Sequence, residues 1–201
     1  MSRILAKLLN VARATIAVAL AAAILARVSG VAAAQPSGDK VQLCNVCHGE
    51  NGVPRDKTIP VIWGQQQGYL YLQLRDYKRG DRKNGPMQQI VAEMERNDMM
   101  ALAEYYSQKP WPDLRQPRAP GPIAARALRA NVALGCTGCH LGEYQGAGTQ
   151  PRLAGQIKEY MAQTMLAFRT GERGNNPGMS DLRKAISEDD IAAAAEYLAG
   201  Q

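Results

Sequence analysis

A five-residue stretch with the makings of a reactive site occurs twice in this chain: Cys44-Asn45-Val46-Cys47-His48 and Cys136-Thr137-Gly138-Cys139-His140. Two thiols three residues apart stand on one face of a helical turn. C-x-x-C-H is the attachment signal for a c-type haem. The thiols bond to two porphyrin vinyl groups, and the imidazole that follows turns onto the iron. The pattern predicts two covalently attached haem c groups. Cys44, Cys47, Cys136 and Cys139 would be the attachment points, and His48 and His140 the iron ligands.

Other chemistries use an even number of cysteines. A disulfide-stapled secreted domain does, and so does a zinc site of four thiolates, whose C-x-x-C pairs normally lie closer together than Cys47 and Cys136. A thioredoxin-like motif wants one C-x-x-C beside a βαβ pattern, which is not visible here. The histidines decide for haem. The chain has two, and each directly follows a C-x-x-C.

An iron with one histidine needs a sixth ligand or an open face, and that choice separates an electron carrier from an enzyme. No histidine is left over, so the thioether of methionine is the next candidate. Seven methionines follow Met1, and core filling is their usual role. The internal repeat discriminates among them. Met87 lies 39 residues after His48, and Met179 lies 39 after His140. Met94, Met99 and Met100 fall opposite Ile186, Ile191 and Ala192; Met161 and Met165 fall near Leu70 and Leu74. Met87 and Met179 alone are in register, each after an Asn/Gly/Pro-rich turn that could present it inward. They are the expected sixth ligands. Pro60 and Pro151 follow the two histidines by 12 and 11 residues. Two readings stand for them: carbonyls that hold the second nitrogen of each imidazole, or ordinary loop prolines.

The elements that must position these groups repeat too. Gly64-Gln65 recurs as Gly155-Gln156, Gly80-Asp81-Arg82 as Gly171-Glu172-Arg173, and Ala103-Glu104-Tyr105 as Ala195-Glu196-Tyr197. The offset of 91 to 92 residues suits two copies of one small domain rather than a solenoid. Residues 35–109 would form the first domain, 110–121 a proline-rich linker and 122–201 the second domain. Helical periodicity places the cysteines on helices over 39–47 and 122–139. It predicts further helices over 66–78, 97–107, 156–170 and 188–199, with Gly80 and Gly171 as C-caps. Ser187 and Asp190 resemble a capping pair for the last. Alternating strand patterns are absent, so the fold should be all-α. Each domain is small for a core of its own, and a buried porphyrin would supply much of the apolar centre.

Residues 1–34 read as a secretory signal peptide: basic Arg3, Lys7 and Arg13, an apolar run from Thr15 to Ala26, and Ala32-Ala33-Ala34 as the cleavage site. An uncleaved membrane anchor is the alternative, although the run is short for a span. Four of the basic residues lie here, so the formal charge of +6 falls to +2 in the remainder, 20 basic against 18 acidic. The basic character belongs mostly to the signal and gives no support to nucleic-acid binding. Lys78, Arg79, Arg82 and Lys83 form a local cluster before Met87, readable as a docking patch or as a solvated helix end.

Two C-x-x-C-H lobes, a Pro-x-x-x-Gly-Gln segment after each (Pro60 to Gln65, Pro151 to Gln156), Tyr69-Leu70 or Tyr160-Met161 opening the next helix, a Gly-x-Arg turn and then the methionine together resemble the di-haem cytochrome c4 family. The resemblance spans roughly residues 38 to 201. It implies two class I cytochrome c folds packed as a pseudo-symmetric pair, His/Met ligation, and haem edges facing across the interface. It implies a periplasmic electron carrier, soluble or held at the membrane surface, and not an enzyme. Such a carrier takes electrons from a quinol-oxidising complex or a dehydrogenase and feeds a terminal oxidase. The rivals are a di-haem enzyme of peroxidase or thiosulfate-oxidising type, and a fixed cytochrome subunit of a larger complex. The lobes differ at Trp63 against Ala154, and at Glu95-Arg96-Asn97 against Ser187-Glu188-Asp189.

Overall fold

Helix follows helix through the chain, as the periodicity demands. A computed structural model describes residues 35–181 and 185–201; the expected signal segment, 1–34, lies outside them. The helices are α1 (Gly38–His48), α2 (Gln67–Arg79), α3 (Gly85–Val91), α4 (Arg96–Ser107), α5 (Gly121–Leu134), α6 (Cys136–His140), α7 (Lys158–Thr170), α8 (Pro177–Ser180) and α9 (Glu188–Ala199). Among the described residues the only β-pairing is an isolated bridge between Ala147 and Gln150.

Two apolar clusters mark two lobes. In the first, α2 packs on α3 and α4, burying Leu70, Tyr77, Val91, Met94, Met99, Leu102, Ala103 and Tyr106. In the second, α9 packs on α5 and α7, around Tyr144, Ala154, Met161, Ala195, Leu198 and Ala199. Both α2 and α7 end on a left-handed glycine, Gly80 at φ 79° and Gly171 at φ 83°. A residue with a Cβ is strained there.

Three sequence expectations change. The helix foreseen over 122–139 is two helices, because Gly135 takes φ 65° and turns the chain before Cys136. The turns before Met87 and Met179 are the starts of two short helices, α3 and α8. The proline-rich stretch after Lys109 lacks helix as expected, but it packs against the second lobe. Gln116 Nε2 donates to the carbonyls of Gly155, Gln156 and Ala199, and its Oε1 accepts from Lys158 N at the start of α7.

The start of α9 is fixed as the sequence suggested. Ser187 Oγ accepts from Asp190 N at 3.1 Å, and Arg126 on α5 pairs with Asp190 at 2.7 Å. The Ser187 hydroxyl, and then Arg126, hold the Asp190 carboxyl below its usual 3.8. Ser187→Ala should therefore cost about 1 kcal/mol in denaturant unfolding near neutral pH. A carboxyl with a depressed folded pKa stabilises above its unfolded value and loses that contribution as pH falls through the folded one. The Ser187→Ala deficit should shrink below about pH 4.

Candidate haem sites

In both lobes the motif histidine is buried and its ring is held the same way. His48 and His140 are 7% and 5% exposed. His48 Nδ1 lies 2.8 Å from the carbonyl oxygen of Pro60, and His140 Nδ1 lies 3.0 Å from that of Pro151. A carbonyl can only accept, so Nδ1 carries the proton in each ring and Nε2 keeps its lone pair. Burial lowers both histidine pKa values, with the proline bond working against it. Both rings are neutral at neutral pH, the form that binds a metal. Of the two readings of Pro60 and Pro151, the geometry selects the carbonyl partner. Gly146 makes room for one of them: at φ 63°, a Cβ added to it would lie 2.5 Å from the Pro151 oxygen.

No disulfide pairs the four cysteines with one another. Cys44 and Cys136 are half-buried, and burial pushes both thiols up from their ordinary value; Cys47 and Cys139 are exposed. Among the described residues no three His, Cys, Asp or Glu side chains cluster as a metal site would require, which removes the support for a four-thiolate zinc site.

One cavity of about 900 Å³ is lined by Cys44, Cys47, His48 and Met87 from the first lobe and by His140 and Met179 from the second. Cys136 and Cys139 lie outside its lining. The two methionines are placed alike. Each is the third residue of its short helix, and its backbone N donates to the asparagine that caps that helix: Met87 N to Asn84 Oδ1 and Met179 N to Asn176 Oδ1, both at 3.1 Å. The other methionines sit differently. Met94, Met99 and Met161 are buried in the apolar clusters, and Met100 is exposed. Met161 and Met165 also line the cavity, from α7, where the first lobe has Leu70 and Leu74.

Of the basic cluster of the first lobe, Lys78, Arg79 and Lys83 are exposed and Arg82 is not. Lys78 Nζ donates to the Met94 carbonyl, Arg79 pairs with Asp81, and Arg82 turns between the lobes. Its guanidinium lies over the Tyr77 ring and donates to Gln73 Oε1 and to the Tyr160 hydroxyl. Arg173, its repeat partner, lies over Phe168 and donates to the same Gln73 oxygen. Burial raises the Tyr160 hydroxyl, but the charges of Arg82 and Arg173 outweigh it and bring the group down to about 7. Asp76 nearby is already engaged by Arg75 and Asn175. Sequence reasoning placed both arginines in the repeat but missed their role between the lobes. The matching places of Arg82 and Arg173 in the repeat were the signal that could have found it.

Further contacts cross between the lobes. Gln65 Nε2 donates to the Arg152 carbonyl at 3.0 Å, and Arg152 N donates to Gln65 Oε1 at 2.7 Å. Gln156 does the same to Val61, at 3.0 and 2.9 Å. Each glutamine is 3% exposed. Gln65 Oε1 also accepts from Gln66 N, and Gln156 Oε1 from Ile157 N.

The helices, the paired motifs and the shared cavity are those of a c-type cytochrome with two haems on two class I folds. A family model described as "Cytochrome C oxidase, cbb3-type, subunit III" matches residues 124–198. Cytochrome c4 of Azotobacter vinelandii is 31% identical over 96% of this chain and 99% of its own. A protein of Stutzerimonas stutzeri named thiosulfate dehydrogenase electron acceptor is 34% identical over 78% of this chain and 77% of its own. The structure of cytochrome c4 from Acidithiobacillus ferrooxidans superposes with a TM-score of 0.71 at 28% identity, covering 80% of this chain and 99% of the other. The chain belongs to the cytochrome c4 family, and it carries two covalent haem c groups.

Removing one pair of thiols should remove one haem. After acid–acetone extraction the denatured wild-type chain should retain two haems, and the double variant Cys44→Ala/Cys47→Ala one. Full release of haem from the wild type would contradict covalent attachment.

Proposed function

We propose that this di-haem electron-transfer cytochrome is a closed carrier, with His48 and Met87 as the axial ligands of one haem and His140 and Met179 as those of the other. The observation that carries the reading is the matched placement of the two methionines, each third in an asparagine-capped helix and each lining the cavity with the histidines. Bound haem iron supplies reversible one-electron chemistry. The residues set its conditions. Cys44, Cys47, Cys136 and Cys139 fix the two porphyrins. Burial keeps the imidazoles neutral, and Pro60 and Pro151 keep them aimed. Neutral thioethers favour ferrous iron and hence a relatively high potential. Arg173 is buried and Arg82 partly buried between the lobes; two such cations call for anions, and the porphyrin carboxylates would be the anions at hand. Six-coordinate irons leave no place for a substrate, which favours a carrier over an enzyme.

The proposed place of work is the periplasm, reached through the leader at 1–34, either free or held at the membrane surface. Among the described residues no helix is long and apolar enough to cross a membrane. The proposed acceptor is a terminal oxidase. The proposed donor is a quinol-oxidising complex or a dehydrogenase, and the relative named as an acceptor for thiosulfate dehydrogenase favours the second. The prereduced protein should be oxidised rapidly by oxidase-containing membranes, and alone it should not oxidise thiosulfate with ferricyanide as acceptor. Thiosulfate turnover by the isolated protein would turn the reading to an enzyme.

Ligation is tested separately. Wild-type ferrous protein should bind carbon monoxide poorly. Met87→Ala and Met179→Ala should each open one iron to the gas and lower that haem's potential. Rapid uptake by the unmutated protein at either haem would overturn the closed-carrier reading there.

A further inference from the structure

The peptide group between Pro60 and Val61 is used from both sides. Its carbonyl oxygen accepts from His48 Nδ1 at 2.8 Å. Its N–H, on Val61, donates at 2.9 Å to Oε1 of Gln156, a side chain of the opposite lobe. The second lobe repeats the arrangement. The Pro151 carbonyl accepts from His140 Nδ1 at 3.0 Å, and the N–H of the same peptide group, on Arg152, donates at 2.7 Å to Oε1 of Gln65. The second amide contact of each glutamine pins the same residue again, through the Val61 and Arg152 carbonyls.

Hydrogen bonds at the two ends of one amide reinforce each other. An N–H that donates leaves its carbonyl oxygen more negative, and in a buried setting that polarisation is not screened by water. The acceptor on Val61 N–H therefore strengthens the acceptor for His48 Nδ1–H. A histidine that donates more strongly is a more basic ligand, and it stabilises ferric over ferrous iron.

We infer that Gln156 and Gln65 are positioning residues that act across the interface, each tuning the axial histidine of the other lobe's haem through a single proline peptide group. The inference rests on His48 and His140 being the iron ligands. Its distinctive consequence is crossed: a change in the second lobe at Gln156 shifts the first haem, and a change in the first lobe at Gln65 shifts the second.

The test is an NMR-monitored redox titration of the holoprotein, with each haem assigned through its contacts to Cys44/Cys47 or to Cys136/Cys139. In Gln156→Met the acceptor is lost at nearly constant volume. The first haem should become easier to reduce by about threefold in its equilibrium constant, ~28 mV at 59 mV per tenfold for one electron. The second haem should move less. In the ferrous state the His48 Nδ1 proton should shift upfield while that of His140 stays. Gln65→Met should give the mirror result, and it provides an independent arm if Gln156→Met binds haem poorly. Gln156→Glu keeps the acceptor oxygen and should restore the His48 proton to at least its wild-type position, although its charge lowers both potentials. A shift confined to the haem of the mutated lobe, or equal shifts of both, would overturn the inference, since loss of the local cap at Ile157 or Gln66 would act that way. So would an unmoved His48 proton. If the His48 ring showed no haem-induced shift at all in the wild type, the ligand assignment would fall instead.

Discussion

Each motif histidine gives its Nδ1 proton to one backbone carbonyl, and the rest of the molecule is arranged to keep those two carbonyls still. The bond decides which tautomer is present, which nitrogen is left for the metal, and how basic that nitrogen is. A proline suits the task because its φ is fixed and its nitrogen makes no competing bond. In the second lobe the fit is tight enough that Gly146 must lack a side chain. In the first, the residues just beyond the carbonyl are pinned from the other lobe.

Two small lobes, each built around a haem, have little core left for themselves, and the region between them is strongly polar. Buried polar groups cost about 1–3 kcal/mol each when left unpaired. Here the glutamine amides are paired at both ends. The guanidiniums are covered by aromatic rings and shared amide and hydroxyl oxygens. The extended stretch after Lys109 adds to this by capping α7 through Gln116. What looks from composition like a loose connection is part of the second lobe's packing.

The haem chemistry was legible because it is local: C-x-x-C-H needs five adjacent residues, and α1, α2, α4, α7 and α9 follow from short-range periodicity. The matched distance from histidine to methionine came from comparing one half of the chain with the other. The interface residues Gln65 and Gln156, and Arg82 and Arg173, recur in the repeat as well, but the repeat does not say what they meet. Gln156 and Val61 are 95 residues apart, and no local pattern records what a side chain meets at that distance. Arg82 misled for the same reason. Among other basic residues it reads as surface, whereas its guanidinium is spent on Tyr160 across the interface. The break at Gly135 was hidden because one glycine inside an apolar run costs a helix only about 1 kcal/mol, too little to reveal its left-handed backbone. The short α3 and α8 fell below the length at which helical periodicity can be seen.

The exchange between Gln65 and Arg152 on one side, and Gln156 and Val61 on the other, has the form of an isologous contact: what one half does to its neighbour, the neighbour does back. A pair of identical single-haem subunits would assemble through the same surface. In such a dimer, any substitution strikes both copies at once, so the two centres stay equivalent. Joining the halves in one chain lifts that restriction. Val61 and Arg152 already differ in size and charge at equivalent places, and the two centres are free to evolve separately on a scaffold whose symmetry is kept by the paired glutamines and the peptide groups they hold.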